Sequence, residues 1–380
     1  MKILIAIDSF KGSVSSKEGS EAIALGVKDV YPEAEILSLP LADGGEGTIE
    51  ALVQATEGNI VEKEVIGPLR NKVTAKYGIL SDKRTAVIEV AEACGLPLVP
   101  YNQRNPLITT SYGVGELILD ALDNGCRKFV IGLGGSATND GGVGMLRALG
   151  FRFLNKHGEE VGIDGKALIE VRKIDLARID NRLKECEFKV ACDVNNPLCG
   201  PKGASYIFGP QKGATTQMVE ELDKGLKHFA DIVFQELGKD IHNKPGTGAA
   251  GGLGAACLGF LNATLKSGID LILETLEMEK YLHNANFVIT GEGKLDGQTS
   301  MGKAPLGIAQ LASEFKIPVL ALAGGVTEET AVLNELGVTS YFSIVNAPME
   351  LEEAMDSKVT YNNLRVTTNQ LFRLIKSVDA

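Results

Sequence analysis

Short apolar runs alternate with longer amphipathic stretches along most of the chain. The apolar runs predict strands at residues 2–8, 35–39, 128–133, 286–290 and 318–323. The amphipathic stretches predict helices at residues 16–29, 46–57 and 112–124. Strands that alternate with helices of ~10 to 15 residues are typical of βα units on a parallel sheet. The pattern therefore predicts an α/β fold.

The segment between residues 60 and 92 has a different pattern. Three strand-like runs, at 61–66, 72–80 and 85–90, lie close together in the sequence. Turn residues separate them, such as Gly67-Pro68 and Ser81-Asp82. Connections this short favour antiparallel hairpins over crossovers, so this part of the sheet is expected to be antiparallel.

A chain of 380 residues is long enough for two domains at ~100 to 200 residues each. We expect a doubly wound, Rossmann-like domain with a parallel sheet, built from residues 1–60, 105–150 and 284–380. The remaining residues, 61–104 and 151–283, are expected to form a second α/β domain with a mixed sheet. The first domain is thus predicted to be discontinuous in sequence.

Charge and hydropathy exclude several classes of function. Lys plus Arg is 38 and Asp plus Glu is 49, which gives a net charge of −11. A negative protein repels DNA and acidic membrane surfaces. The first apolar run is too short for a signal peptide, and no stretch reaches the ~20 apolar residues that cross a bilayer. We therefore expect a cytoplasmic protein with neither a nucleic-acid nor a membrane partner.

The cysteines and histidines point to no metal or nucleophile site. The six cysteines include no CxxC pair, and most lie in apolar sequence, which is typical of reduced core thiols. The four histidines are scattered, so a zinc site or a Ser/His/Asp triad has little to build on. A general base in this protein is therefore expected to be a carboxylate.

Five predicted strands end in Gly-rich or acidic segments, which hold the candidate site. Because the carboxyl ends of parallel strands share one edge of a sheet, these segments are expected to face one crevice. The candidates for substrate or nucleotide binding are Ser9, Asp43, Gly44, Gly45, Gly134, Gly135, Ser136, Thr138, Asp140, Asn195, Glu292, Ser300 and Lys303. The candidates for catalysis are Asp296, Lys294, Asp193, Asp8 and Lys11, with Asp296 and Glu292 as metal ligands.

The segment 132–142, Gly-Leu-Gly-Gly-Ser-Ala-Thr-Asn-Asp-Gly-Gly, follows a strand and precedes a helix predicted to begin near Gly142. Its backbone N–H groups and the helix N-terminus can hold phosphate, and glycine lets the chain approach the oxygens closely. A tight turn that needs glycine only for its dihedral angles is the alternative. The crowding of Ser136, Thr138 and Asp140 favours binding.

The run 132–137 also fits the dinucleotide fingerprint G-x-G-x-x-G/A. That fingerprint expects an acidic residue ~20 positions later to hold the ribose. The next strand, 151–154, ends in Asn155 instead, which argues against NAD. A Walker loop is excluded because the sequence G-x-x-x-x-G-K-[ST] does not occur in the chain.

The segment 291–303, Gly-Glu-Gly-Lys-Leu-Asp-Gly-Gln-Thr-Ser-Met-Gly-Lys, combines carboxylates, lysines and hydroxyls. This mixture suits phosphoryl transfer, since lysine neutralises phosphate oxygens while a carboxylate binds Mg²⁺ or accepts a proton. Asp296 lies between Lys294 and Lys303 and is the preferred catalytic carboxylate. An exposed charged loop is the alternative.

Three other candidate carboxylates have equally plain structural alternatives. Asp8 and Asp43 could cap the helices that follow them. Asp193 and Asn195 follow an apolar strand and could reach a crevice, or they could form an Asx turn before Pro197. The sequence leaves these alternatives open.

Together these segments resemble the bacterial glycerate kinase family over essentially the whole chain. The motifs that carry the resemblance are IAIDSFKGS (5–13), LADGGEGT (41–48), TTSYGVGELI (109–118), GLGGSATNDGG (132–142), ACDVNNPLCGPKGA (191–204), FGPQKGA (208–214), AAGGLGAA (249–256) and TGEGKLDGQTSMGKAP (290–305). Two departures are small: Val114 stands where threonine is common, and residues 162–165 are less glycine-rich than usual.

The resemblance implies a two-domain α/β enzyme that phosphorylates D-glycerate with ATP and Mg²⁺ in a cleft between its domains. It favours 2-phosphoglycerate as the product, although the residues alone leave the 3-hydroxyl open. A kinase of another small hydroxy acid and a non-catalytic sugar-acid sensor are the competing interpretations. The sequence does not decide whether the protein forms a homo-oligomer.

Overall fold

The computed structural model describes residues 1–297, 299 and 302–378. Its strands are β1 (Lys2–Ile7), β2 (Glu35–Ser38), β3 (Asn59–Ile66), β4 (Lys72–Ile79), β5 (Thr85–Glu89), β6 (Lys128–Gly132), β7 (Arg152–Leu154), β8 (Lys173–Asp175), β9 (Glu187–Ala191), β10 (Thr264–Lys266), β11 (Phe287–Leu295), β12 (Val319–Val326) and β13 (Ser340–Ser343). Its α-helices are α1 (Ser16–Lys28), α2 (Thr48–Thr56), α3 (Val90–Cys94), α4 (Tyr112–Asp123), α5 (Val143–Ala148), α6 (Ala204–Phe208), α7 (Thr216–Leu237), α8 (Leu253–Phe260), α9 (Gly268–Thr275), α10 (Glu279–Leu282), α11 (Ala304–Glu314), α12 (Val332–Glu335), α13 (Leu351–Ala354) and α14 (Ser357–Val378).

The first and last parts of the chain share one parallel sheet of five strands. Its strand order is β13-β12-β11-β1-β2, and every pair in it is parallel. The chain runs outward from β1 to β2 on one side and from β11 through β12 to β13 on the other. The strand order therefore reverses between β1 and β11, which is the switch point at which doubly wound sheets bind ligands. The doubly wound prediction is confirmed.

The middle of the chain forms a mixed sheet with the order β10-β9-β6-β5-β4-β3. The pairs β10–β9, β9–β6 and β6–β5 are parallel, whereas the pairs β5–β4 and β4–β3 are antiparallel. The predicted hairpins between residues 60 and 92 are confirmed. A separate pair, β7 and β8, is also antiparallel.

The chain divides into two compact units. Residues 1–43 and 272–380 form the terminal unit, and residues 44–271 form the central unit. This division corrects the predicted one, which assigned residues 44–60 and 105–150 to the doubly wound domain. The reason is strand pairing: β6 lies between β5 and β9 in the mixed sheet, and α2 packs on β4 and β5.

Helix α1 shows how the terminal unit is built from local signals. Ser15 and Glu18 form a capping box, in which the Glu18 N–H donates to Ser15 Oγ at 3.2 Å and the Ser15 N–H donates to Glu18 Oε2 at 2.9 Å. Gly26 then allows α14 to pack closely, since a Cβ there would lie 2.4 Å from the backbone oxygen of Arg365. The apolar face of α1 is buried against β1 and α14.

The central unit has its own apolar core, in which the rings of Phe129 and Phe188 stack at 4.8 Å between centroids. The hydroxyl of the buried Tyr77 donates to Asp120 Oδ2 at 2.8 Å. All six cysteines are free thiols, as predicted. Among the described residues, no helix is both long enough and apolar enough to span a bilayer.

Candidate active site

Two buried carboxylates mark the switch point of the five-stranded sheet. Asp8 follows β1 directly, and its N–H donates to the Gly291 carbonyl in β11 at 2.9 Å. Glu292, on the neighbouring strand, is 8% exposed, and Asp8 is 6% exposed. The parallel pairing of β1 with β11 thus places both carboxylates at the edge of the sheet where ligands bind.

The surroundings of Asp8 make it easy to protonate. Burial, together with the nearby carboxylates of Asp43 and Glu292, raises the pKa of Asp8 to about 6, against the opposing effects of the Ser9 N–H and of Lys11. The Ser9 N–H donates to Asp8 Oδ1 at 2.6 Å. A carboxylate with a pKa near 6 is ionised at neutral pH and is basic enough to accept a proton from a reacting group. Asp8 therefore has the properties of a general base.

The other carboxylates of this region each have a lysine nearby. The three pairs, measured from Nζ to a carboxylate oxygen, are Lys11 with Asp43 at 3.5 Å, Lys294 with Asp296 at 3.3 Å and Lys303 with Glu292 at 3.6 Å. Asp8, in contrast, has no lysine or arginine nitrogen within 4 Å among the residues that the structure describes. The region therefore holds paired charges around one buried carboxylate that lacks its own ion-pair partner.

Glu292 is held in place from two sides. Thr299 Oγ1 donates to Glu292 Oε1 at 2.7 Å, while Lys303 lies near Oε2. Burial raises the pKa of Glu292, and these two partners oppose the rise. Glu292 is thus fixed in orientation within the second half of β11.

Asp296 lies just after β11 and is half-buried. Its N–H donates to Thr299 Oγ1 at 3.2 Å, and the next N–H, of Gly297, donates to Glu329 Oε2 at 3.3 Å. The carboxylate of Asp296 lies 3.3 Å from the Nζ of Lys294, one of the two lysines between which it stands in the sequence. Ser300, another predicted binding residue, lies outside the described residues.

The carboxylates of the terminal unit suit Mg²⁺ as single ligands. Within residues 1–297, 299 and 302–378, no three His, Cys, Asp or Glu side chains are grouped as a complete metal site. Mg²⁺ in kinases, however, takes only one or two carboxylates and completes its shell with substrate phosphates and water. Because repulsion among Asp8, Asp43 and Glu292 raises the pKa of Asp8, a cation beside them would be favoured.

The glycine-rich segment 132–142 begins at the end of β6 in the central unit. Gly134 and Gly135 are exposed, and Gly135 has a φ of 70°, a left-handed conformation that glycine adopts without strain. Within the described part of the chain, the N–H groups of Gly134, Gly135 and Ser136 donate no hydrogen bond. Three successive unused N–H groups in a loop of this kind make an anion-binding concavity. We call residues 134–136 the anion loop.

The backbone on either side of these donors is firmly held. The Leu96 N–H donates to the Gly135 carbonyl at 2.8 Å, and the Ala137 N–H donates to the Cys94 carbonyl at 2.8 Å. Neither bond uses an N–H of the anion loop. The three donors are therefore presented by a fixed backbone, which would not have to become ordered before an anion could bind.

Asp140 lies completely inside the protein. Its Oδ2 accepts from the N–H and the Oγ of Ser111, both at 2.8 Å, and its two oxygens accept from the N–H groups of Gly142 and Gly144. Asp140 thereby occupies the N-terminus of α5. The sequence had predicted that this helix N-terminus could hold phosphate. Thr138 is also fully buried. Asp140 therefore holds the segment in place, and of residues 132–142 only Gly134 and Gly135 are exposed.

Gly44 and Gly45 lie against the same end of the mixed sheet. Gly44 has a φ of 85°, and a Cβ there would lie 2.7 Å from both Ala191 Cβ and Gly268 Cα. A Cβ on Gly134 would lie 3.4 Å from the Cα of Gly45. The predicted grouping of Gly44 and Gly45 with the anion loop is therefore seen directly in the structure.

Asp193 and Asn195 follow β9 and are both exposed. Oδ1 of Asp193 accepts from the N–H of Gly268 at 2.8 Å, which fixes the start of α9. This contact gives Asp193 a structural function. Because β9 is parallel to β6, Asp193 lies at the same edge of the mixed sheet as the anion loop. Asn195 lies two residues further along the same exposed segment.

Sequence reasoning missed two buried titratable residues in the central unit. Glu89 ends β5, burial raises its pKa to about 7, and its Oε1 accepts from the Ile49 N–H in the first turn of α2 at 2.9 Å. The rule used for the other strand ends would have found it. Lys212 is 2% exposed and donates to Ser136 and Thr138. Its sequence, Gly-Pro-Gln-Lys-Gly, follows no strand, and only the family resemblance included it, in the motif FGPQKGA (208–214).

Comparison with known proteins gives matches along the whole chain. The profile described as the glycerate kinase family matches residues 3–376. A glycerate kinase of Bacillus subtilis is 50% identical over 95% of this chain and 94% of its own, and a glycerate 2-kinase of Escherichia coli is 47% identical over 96% and 95%. A crystal structure assigned to glycerate kinase 2 of Salmonella typhimurium LT2 superposes with a TM-score of 0.92 at 46% identity, covering 100% of this chain and 99% of that one.

Proposed function

The chain belongs to the glycerate kinase family, and from that premise we propose that it transfers the γ-phosphoryl group of ATP to D-glycerate. The products are ADP and phosphoglycerate. We propose the 2-hydroxyl as the acceptor, so that the product is 2-phosphoglycerate. The similarity to the Escherichia coli protein named glycerate 2-kinase supports this choice.

The anion loop is the observation that carries the proposal. It offers three successive N–H groups, from Gly134 to Ser136, on a rigid backbone at the carboxyl end of a parallel strand. Phosphoryl transfer depends on positioning and charge stabilisation more than on covalent chemistry, so fixed donors of this kind suit it. We assign the anion loop, with Gly44 and Gly45 beside it, to the phosphates of ATP.

The lysines and carboxylates of the terminal unit supply the remaining functions. We propose that Lys11, Lys294 and Lys303 neutralise phosphate oxygens and that Ser9 and Asp43 help to hold substrate. Asp296 is our first choice for the carboxylate that accepts the glycerate proton as the new O–P bond forms. Asp8, with its pKa of about 6, is the second candidate.

Mg²⁺ fits this assignment as a cofactor that arrives with ATP. Glu292 and Asp296 would be its protein ligands, and when bound it would neutralise charge on the transferring phosphoryl group. The contacts of Glu292 with Thr299 and Lys303 hold its carboxylate in one orientation, which is what a ligand of this ion requires.

The decisive experiment is phosphorus NMR of the product of a single turnover of ATP and D-glycerate in the presence of Mg²⁺. We expect 2-phosphoglycerate and ADP in equal amounts. Formation of 3-phosphoglycerate would overturn the choice of hydroxyl but leave the kinase assignment intact. Turnover with a longer hydroxy acid and not with glycerate would support the kinase of another acid. Binding of glycerate without turnover would identify a sensor.

A further inference from the structure

A lysine inside the central unit carries a positive charge without an opposite charge beside it. Lys212 is 2% exposed, and no carboxylate oxygen of the described residues lies within 4 Å of its Nζ. Burial lowers the pKa of Lys212 to about 8, while Cys94 and Asp140 raise it by smaller amounts. A buried charge without a partner destabilises a protein unless something compensates for it. The location of Lys212 indicates what that compensation is.

Both hydrogen bonds of Lys212 go to the segment that contains the anion loop. Its Nζ donates to Ser136 Oγ at 2.9 Å and to the Thr138 carbonyl at 2.7 Å. Because the Ser136 oxygen accepts from an ammonium group, the hydroxyl proton of Ser136 has to point elsewhere, and the bond makes that proton a stronger donor. An anion held by the N–H groups of residues 134–136 would therefore meet a polarised hydroxyl backed by a full positive charge.

We propose that Lys212 is the positioning cation of the anion loop: acting through Ser136, its buried charge binds the phosphates of ATP to the Gly134–Ser136 N–H groups. The inference rests on the proposed function, because that function assigns the anion loop to ATP. It adds a residue that touches no substrate itself and supplies the counter-charge that the phosphates need. The bound phosphates are in turn the missing partner of Lys212.

The titration of Lys212 gives a test that requires no variant. The titratable groups that face Lys212 are Cys94 and Asp140. The guanidinium of Arg104 is also nearby, since it donates to the carbonyl of Gln211, the residue before Lys212. Burial raises the pKa of Cys94 to about 12, and arginine keeps its charge throughout. Burial raises the pKa of Asp140, against the opposing effect of its hydrogen bonds with Ser111, Gly142 and Gly144. Between pH 7 and 9.5, loss of the Lys212 proton is the change to which the proposal attributes any loss of ATP binding.

Calorimetry of the unmodified protein should show ATP binding weakening above about pH 8, by up to about tenfold per pH unit. Binding of D-glycerate should change less over the same range. An ATP dissociation constant that stays level from pH 7 to 9.5 would overturn the proposal. Absence of ATP binding at every pH would refute the proposed function and this inference with it. A pH-independent ATP affinity would refute this inference alone, so the two outcomes can be told apart.

Variants separate positioning from folding. Lys212→Met keeps the length of the side chain and removes its charge, so ATP should bind about 10- to 100-fold more weakly, and the pH dependence should disappear. Lys202→Met, which removes an exposed lysine of the same region, is the control for net charge. If Lys212 acts through Ser136, Ser136→Ala should weaken ATP binding less in the Lys212→Met protein than it does in the unmodified protein.

Three results of these measurements would overturn the proposal. The first is unchanged ATP affinity in a folded Lys212→Met protein. The second is a lower melting temperature with unchanged affinity, which is what a purely structural lysine predicts. The third is weaker binding of D-glycerate with no change in ATP affinity, which would assign the anion loop to the carboxylate of the substrate. If Lys212→Met does not fold, the pH series on the unmodified protein still decides.

Discussion

Replacement of Asp8 by Asn tests whether the buried charge of this carboxylate destabilises the folded protein. Asn keeps the size of the side chain and its oxygen can still accept from the Ser9 N–H, but the charge is lost. The pKa of Asp8 is about 6 in the folded protein against an ordinary value of 3.8. That difference corresponds to about 3 kcal/mol of stability.

The sign of the effect follows from which state binds the proton more tightly. Because the folded state holds the Asp8 proton up to a higher pH than the unfolded chain does, ionisation makes folding less favourable as the pH rises from about 4 to about 6. Above that range Asp8 is ionised in both states, so the loss of folding stability no longer changes with pH. Asp8→Asn should therefore be more stable than the unmodified protein by up to about 3 kcal/mol at pH 8, and the gain should shrink as the pH falls towards 4.

Urea unfolding at pH 4.5, 5.5, 6.5 and 8 measures this difference directly. Glu314→Gln, an exposed carboxylate changed to its amide in the same unit, is the matched control and should show no such pH trend. A constant difference between Asp8→Asn and the unmodified protein at all four pH values would refute the reasoning. The same variant reports on chemistry: if Asp8 is the general base, the turnover number should fall about a hundredfold or more.

Four further predictions concern the proposed function. Asp296→Asn should lower the turnover number about a hundredfold or more with little change in unfolding free energy; near-normal turnover alongside an inactive Asp8→Asn would transfer the role of base to Asp8. Gly135→Val should weaken ATP binding in calorimetry with the fold retained, whereas Gly125→Val, equally strained at a φ of 90°, should not. Excess EDTA should abolish turnover, and full activity in EDTA would contradict a role for Mg²⁺. NAD should not bind, and a micromolar dissociation constant for NAD would reopen the dehydrogenase hypothesis.

Local pattern predicted the elements well because buried strands and amphipathic helices each have their own periodicity. The strand predicted at 2–8 is observed as Lys2–Ile7, and the helix predicted at 112–124 as Tyr112–Asp123. Assignment of strands to sheets failed for residues 105–150. An apolar run such as 128–133 contains no information about its neighbours, which are chosen by packing over long sequence distances.

The sequence identified candidate residues at strand ends but not the side chains that lie beneath them, and the site itself stays a prediction. Asp8 and Glu292 were predicted because they end strands, and the structure places both at the switch point. Lys212 belongs to a 3₁₀ turn, residues Pro210–Lys212, that only the tertiary fold brings under the anion loop. No rule based on spacing would have found it.

The segment 132–142 shows how the polar side chains of a site can be mistaken for its ligand-binding groups. The crowding of Thr138 and Asp140 favoured binding in the sequence, yet both side chains are buried: Asp140 accepts from backbone N–H groups, and Thr138 Oγ1 donates to Cys94 Sγ at 4.0 Å. Their bonds, with those of Lys212, keep the N–H groups of residues 134–136 turned away from internal partners. The buried charge of Lys212 beneath them costs the free protein stability. We infer that this segment is less stable than it could be in the free protein because it holds a buried charge that a bound anion would neutralise.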